Sequence, residues 1–213
     1  MAVHYRTKGF FIKKVDRGEN SRLFTVYTKD FGKLKILGKA IRKIGSKLKG
    51  GAEIFCLSEI EFIHGRSQRT LTDATASANF SVIKQDLQKL KIVHQIAETL
   101  DDFISKEEKD DDIWQLLSEV FDKLNNPSPF GRSPEGGQLI YYYFFWNFVS
   151  ILGYNPEFHD RTINKAKINC DIVKILKVIL RKDWPILARL KITPLHRKLL
   201  KIVSEWYTKK IIV

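Results

Sequence analysis

Between Phe31 and Gly50 the chain reads FGKLKILGKAIRKIGSKLKG, with Lys33, Lys35, Lys39, Arg42, Lys43, Lys47 and Lys49 and no acidic residue. Cations packed this closely repel one another unless an anion lies against them, and the interspersed glycines let a partner's backbone approach closely. A phosphate backbone is the obvious partner. A solvated basic loop is the plainer reading of any single charge run. Lys33 and Lys35 alternate with Leu34 and Ile36, so a strand here turns both lysines to one face, the side of the loop that follows. That shared face favours phosphate binding over simple solvation.

The elements around this run read as β-structure. Gly9–Val15 is a short apolar stretch closed by the polar turn Asp16-Arg17-Gly18-Glu19-Asn20-Ser21, and Leu23–Thr28 is β-branched and aromatic. Lys29-Asp30-Phe31-Gly32 turns the chain into a strand at Lys33–Leu37. Ile54–Phe62 and Thr70–Ala74 complete five short strands with Gly-containing connections, a pattern that predicts a small antiparallel barrel of the OB type. Such barrels hold single strands with a cationic groove and aromatic platforms. Phe10, Phe11, Phe24, Tyr27, Phe31 and Phe55 are available, although strand alternation sends most of them into the core.

After Asn79 the period becomes helical. Leu87, Leu90, Val93, Ile96, Ala97, Leu100 and Phe103 form an amphipathic stripe. Lys106–Asp112 is a charged break, with Asp112 placed to cap a helix carrying Ile113, Leu116, Leu117, Val120 and Leu124. Asn125–Gly137 is rich in Pro, Gly, Asn and Ser and reads as a mobile loop. Gln138–Leu152 is an aromatic core helix stopped at Gly153. Two basic helices follow, roughly 164–182 and 193–210, separated at Trp184-Pro185. The expected class is α+β: an OB-type barrel over residues 1–80, then an all-α domain over 81–213. The cations of Lys174–Lys210 have the spacing of the wet face of core helices, with a second nucleic-acid surface as the sharper alternative.

The charge is partitioned. Residues 1–80 hold 16 basic and 7 acidic side chains, residues 81–126 hold 6 and 11, and residues 127–213 hold 15 and 6. The front end therefore suits a polyanion. Two distant cysteines, Cys56 and Cys170, argue against a disulfide framework and fit a reducing compartment. The polar start MAVHYRTKGF has no apolar signal segment, and the apolar run Leu139–Leu152 is too short to span a bilayer. A soluble, cytoplasmic protein is expected.

No catalytic constellation emerges. Asp101-Asp102 and Asp110-Asp111-Asp112 sit at helix ends without a nearby His, so capping and solvation account for them better than a divalent cation does. His4, His64, His94, His159 and His196 are scattered. His159 and Cys170 are the only soft-ligand pair near each other in sequence, too few for zinc. No phosphate-cradling P-loop, nucleophile elbow or H-E-x-x-H is present.

Taken in order, these residues resemble the RecO-type recombination mediators of bacterial DNA repair. The resemblance is carried by Gly18-Glu19, the strand Leu23–Thr28, Gly32-Lys33, the loop Lys39–Lys47 with Ser46-Lys47, and the strand Ile54–Phe62. It continues through Leu71-Thr72-Asp73-Ala74 and an aromatic helix ending in Leu152-Gly153-Tyr154. It is most specific over residues 8–75 and weak after Tyr154. It implies an N-terminal OB domain and a C-terminal helical domain. It also implies binding of single- and double-stranded DNA and annealing of complementary strands. With RecR, such proteins help load the recombinase RecA onto strands coated by single-strand-binding protein, whose acidic tail docks on the helical domain. Arg42, Lys43 and Lys47 fall on the family's basic loop, and Lys33 on its G-K lysine. Ala40 stands where the family often has Gly, which puts the loop geometry there in question. Many members carry a four-cysteine zinc module after the L-G-Y element; this chain has only His159 and Cys170, so no zinc and no other cofactor is expected.

The expected function is a non-enzymatic DNA-binding mediator without membrane association. An RNA-binding OB protein is the alternative among binding proteins, and a nuclease the alternative among enzymes.

Overall fold

Phe10 and Phe11 are adjacent in the chain and both fully buried, which alternation along a strand permits only if the strand is covered on both faces. A computed structural model, describing residues 3–65, 67–105, 107–126, 134–156 and 170–212, shows how. Five strands, β1 (His4–Arg17), β2 (Ser21–Thr28), β3 (Gly32–Gly38), β4 (Leu57–His64) and β5 (Arg69–Ala78), form a closed barrel. β1 pairs antiparallel with β2 and β4, β4 pairs antiparallel with β5, and the parallel contact Ile36↔Arg69 and Leu37↔Thr70 between β3 and β5 closes the ring. Closure leaves no open sheet edge.

Inside sit Phe11, Phe24, Val26, Leu34, Ile36, Ile60, Phe62 and Leu71, and the Phe11 and Phe24 rings meet edge to face at 5.1 Å. Phe10 points the other way and is covered by Phe80, 6.2 Å between centroids, and Trp114, 5.1 Å. A register shift between Phe11 and Lys13 lets Ile12 bulge without losing the alternation.

The strands run longer than their apolar stretches, because the polar residues of β1 at His4, Arg6 and Lys8 still pair with β4. The expected strand start at Ile54 is not observed. Phe55 holds a left-handed φ of 59° and its N–H donates to the Phe11 carbonyl at 2.7 Å, so β4 begins only at Leu57.

Helices α1 (Ser81–Gln85) and α2 (Leu87–Phe103) follow the barrel, and α3 (Asp111–Asn125) comes after the charged break. The chain divides into two compact units, the first Met1–Gln85 with Ala97–Trp114, the second Asp86–Ile96 with Gln115–Val213. The acidic stretch at the end of α2 thus belongs with the barrel. Gly32 receives it: its φ is +64°, and a Cβ there would lie 2.2 Å from the Glu108 carbonyl oxygen. Only glycine lets the two backbones pass this closely. The cap of α3 is Asp110 rather than Asp112, since its carboxylate accepts the Ile113 N–H at 2.9 Å.

In the second unit α4 (Pro134–Ile151) is apolar nearly all round, with Ile140 and Tyr142–Val149 buried. It begins four residues before the expected start at Gln138, because Pro134 suits a first helical turn; the rest of the expected loop, 127–133, lies outside the described residues. Its end is a Schellman stop. Gly153 at φ 89° donates to the Ser150 carbonyl at 3.0 Å, and Tyr154 donates to Val149 at 2.9 Å.

Around it pack α5 (Cys170–Leu180), α6 (Trp184–Arg189) and α7 (Pro194–Ile212). The Asn147 side-chain amide donates to the carbonyls of Tyr143 at 2.9 Å and Ile179 at 3.1 Å, tying α4 to α5. Glu119 of α3 accepts from the Trp184 indole and from the Tyr143 hydroxyl. Trp184-Pro185, expected as a break, opens α6 instead: the Asp183 carboxylate caps Ile186, and the proline takes a position that needs no donor. The expected helix segment 164–169 and His159 lie outside the described residues, among which no helix is long and apolar enough to cross a membrane.

Candidate nucleic-acid interface

The loop between β3 and β4 is held down by its own apolar residues. Ile41 and Ala52 are buried in the barrel core and Leu48 packs against it. Hydrogen bonds to the loop backbone add to this: the Ala40 N–H donates to Ser21 Oγ at 3.3 Å, Arg42 N–H to the Asn20 carbonyl at 3.0 Å, and Ser58 Oγ–H to the Gly51 carbonyl at 2.6 Å. Between these pegs the chain makes a turn closed by the Ser46 N–H on the Lys43 carbonyl at 3.1 Å, and then a 3-10 turn at Lys47–Gly50. With the apolar positions directed inward, Lys39, Arg42, Lys43, Lys47 and Lys49 are left exposed, as is Lys35 on β3. At the apex Ile44 is 98% exposed, surrounded in sequence by cations.

These cations are not equivalent. Arg42 lies 3.4 Å from Asp16, whose other carboxylate oxygen accepts the Arg22 Nε–H at 2.7 Å. The hydrogen bond from Arg22, aided by the Arg22 and Arg42 charges, holds the Asp16 carboxyl below its ordinary range against a smaller opposing effect of desolvation. Lys33 departs from the set altogether. Its ammonium donates to the Asp101 carbonyl at 2.7 Å and to the Asp101 carboxylate at 3.2 Å, and its side chain is only 12% exposed. Lys13 holds the second oxygen of the same carboxylate at 2.7 Å.

Burial pushes the Asp101 carboxyl up, but the hydrogen bonds and charges of Lys13 and Lys33 outweigh it and leave the group below the usual range. The strand alternation that puts Lys33 beside Lys35 is present; what the sequence pattern missed is that Lys33 is already neutralised within the chain. Asp101, read from sequence as a solvated helix end, is the group that does this. The signal for it was the change of sign between the two segments, without any indication of which residues would meet.

Ala40 has φ 53°. The backbone there is left-handed, the conformation glycine adopts at least cost, so alanine holds a glycine-like turn under strain.

Two family models match this sequence in succession: recombination protein O, N terminal, over residues 1–80, and recombination protein O, C terminal, over residues 84–174. The chain belongs to the recombination protein O family. Among its relatives, a DNA repair protein RecO of Dehalococcoides mccartyi strain 195 is 26% identical over 216 residues, covering 88% of this chain and 83% of the relative. The protein of that name from strain BAV1 is 30% identical over 156 residues, covering 73% of this chain and 59% of the relative. One from Trichodesmium erythraeum is 26% identical over 162 residues, covering 75% and 56%. The chain thus spans less than two thirds of the length of the latter two relatives. The barrel and its basic loop fall within the N-terminal match, whereas α6 and α7 lie beyond the C-terminal one.

Proposed function

We propose that this chain is a non-enzymatic DNA-binding mediator of recombination and repair, and that the β3–β4 loop is its main phosphate-binding surface. One observation carries the reading: six cations, Lys35, Lys39, Arg42, Lys43, Lys47 and Lys49, stay exposed on a segment whose apolar residues pin it to a closed barrel. Pinning lowers the entropy lost when the lysines engage a strand. Membership of a recombination family supports DNA as the polyanion.

In this mechanism the loop neutralises phosphates of two strands, lowers their mutual repulsion and lets base pairing proceed. Both single-stranded and duplex DNA bind, and complementary strands anneal. Cooperation with RecR, docking of the acidic tail of single-strand-binding protein on the helical unit, and delivery of RecA to the coated strand complete the proposed role, in the cytoplasm at the nucleoid.

The test is the salt dependence of binding to a single-stranded oligonucleotide. With about five phosphates engaged, log K falls with log salt at a slope of roughly −3.5. A salt-independent affinity refutes the reading, and tighter binding of RNA than of DNA of the same sequence turns it towards RNA handling.

A further inference from the structure

A pocket of about 340 Å³ opens where β1 starts, β2 turns into β3, and β4 gives way to β5. Tyr5, Phe31 and Phe62 form one aromatic cluster in it: Tyr5 stacks on Phe62 at 5.3 Å, and Phe31 meets both edge-on at 5.7 Å. Phe62 is buried, whereas Tyr5 and Phe31 pack against the core but stay partly accessible. They differ in this from Phe10, Phe11, Phe24, Tyr27 and Phe55, all of which are buried.

Arg69 stands at the wall, and its two terminal nitrogens donate to the two oxygens of Glu107 at 2.8 and 2.6 Å. The other charged groups at the pocket are mostly engaged: Asp30 accepts the Thr7 hydroxyl at 2.6 Å, and Lys109 lies 3.1 Å from Asp111. His64 is exposed at the rim.

A forked guanidinium–carboxylate pair has the geometry of a guanidinium–phosphate pair. Partly accessible aromatic rings beside such a pair supply the other half of a nucleotide's recognition, the π-face. We propose that this pocket takes one nucleotide of a single strand, its base on Tyr5 and Phe31 and its phosphate on Arg69, in the place the Glu107 carboxylate holds in the unbound chain. Glu107 is 48% exposed, so the pair it makes is weak enough for a strand to displace. The acidic stretch after α2 then acts as an internal competitor at this pocket. The proposal rests on the nucleic-acid reading above and adds a second contact point to it.

The experiment is fluorescence anisotropy of the full chain with a fluorescein-labelled 20-nucleotide oligothymidine, titrated at several salt concentrations. Glu107→Gln, which keeps the shape and removes the charge, is expected to tighten binding about fivefold and to steepen the slope by roughly 0.7, the value of one further phosphate on a single strand. In an Arg69→Gln background the Glu107 substitution is expected to have no effect. Tyr5→Leu, which preserves apolar packing, is expected to weaken binding several-fold with the slope unchanged, and to do nothing for a 20-mer of abasic sites.

Unchanged or weaker binding by Glu107→Gln, in a protein whose wild type shows the expected salt slope, overturns the pocket and leaves the loop standing. Salt-independent binding by the wild type removes both.

Discussion

Two groups of cations on one barrel have opposite fates. Lys39, Lys43, Lys47 and Lys49 lie on the run Lys39–Gly50, which contains no acid, and make no ion pair among the described residues, whereas Lys13, Lys33 and Arg69 are each met by a carboxylate from the stretch Asp101–Glu107. Each of these cations counts the same towards a net charge of +13. Only the first is free to meet a polyanion without displacing anything. Net charge is therefore a poor guide to a binding surface; what matters is which cations the fold has already paired.

Removing the free group should have the largest effect. Lys39, Lys43, Lys47 and Lys49 together changed to Ala should lower affinity for single-stranded DNA about a hundredfold at physiological salt and flatten the salt slope by roughly 2.8. The melting temperature should stay close to that of wild type, since the pegs Ile41, Leu48 and Ala52 are untouched. An unchanged slope would break the comparison outright.

Disturbing the paired side should act on stability instead. Gly32→Ala places a methyl group against the Glu108 backbone at a residue with φ +64°, and should cost about 2–3 kcal/mol in urea unfolding. If stability is unaffected, the acidic stretch does not lie against the β2–β3 turn in solution.

Asp101→Asn gives a smaller change, about 1 kcal/mol or less, because the pairs it breaks are only partly buried. It also has a pH signature. A carboxylate whose folded pKa lies below its unfolded value contributes stability above the unfolded value, about 4, and loses it as pH falls through the folded one. Asp101 is such a group. Wild type and variant should therefore differ in stability at neutral pH and converge in acid, which unfolding curves at pH 7 and pH 2.5 would show.

The smallest change is in the opposite direction. Ala40→Gly should stabilise by about 0.5–1 kcal/mol by relieving the left-handed alanine, less the entropy glycine adds to the unfolded chain. A destabilised variant would mean that Ala40 is not strained in solution.

Much of the barrel was legible because its physics is local. Alternation marked β2 and β3 to within two residues at each end, and the change from a period of two to one of 3.6 marked the passage into helices. The aromatic helix and its stop at Gly153 were equally plain, since a left-handed glycine after a long apolar run has few other uses. The start of β4 was not legible: an apolar run at Ile54–Cys56 reads as strand, yet a hydrogen bond to β1 holds Phe55 in a turn. Nor was the cap of α3, where five neighbouring residues include Asp110, Asp111 and Asp112 and backbone geometry alone selects Asp110.

By itself the sequence determined the five-strand pattern, the basic loop with its inward-facing apolar residues, and the reversal of charge after residue 80. These follow from spacing and composition, which act over a few residues. The tertiary structure alone decided which charges cancel. Lys33 and Asp101 are 68 positions apart, and no local rule relates them; folding the end of α2 onto the barrel brings them within hydrogen-bonding distance, and Coulomb attraction between partly desolvated groups does the rest.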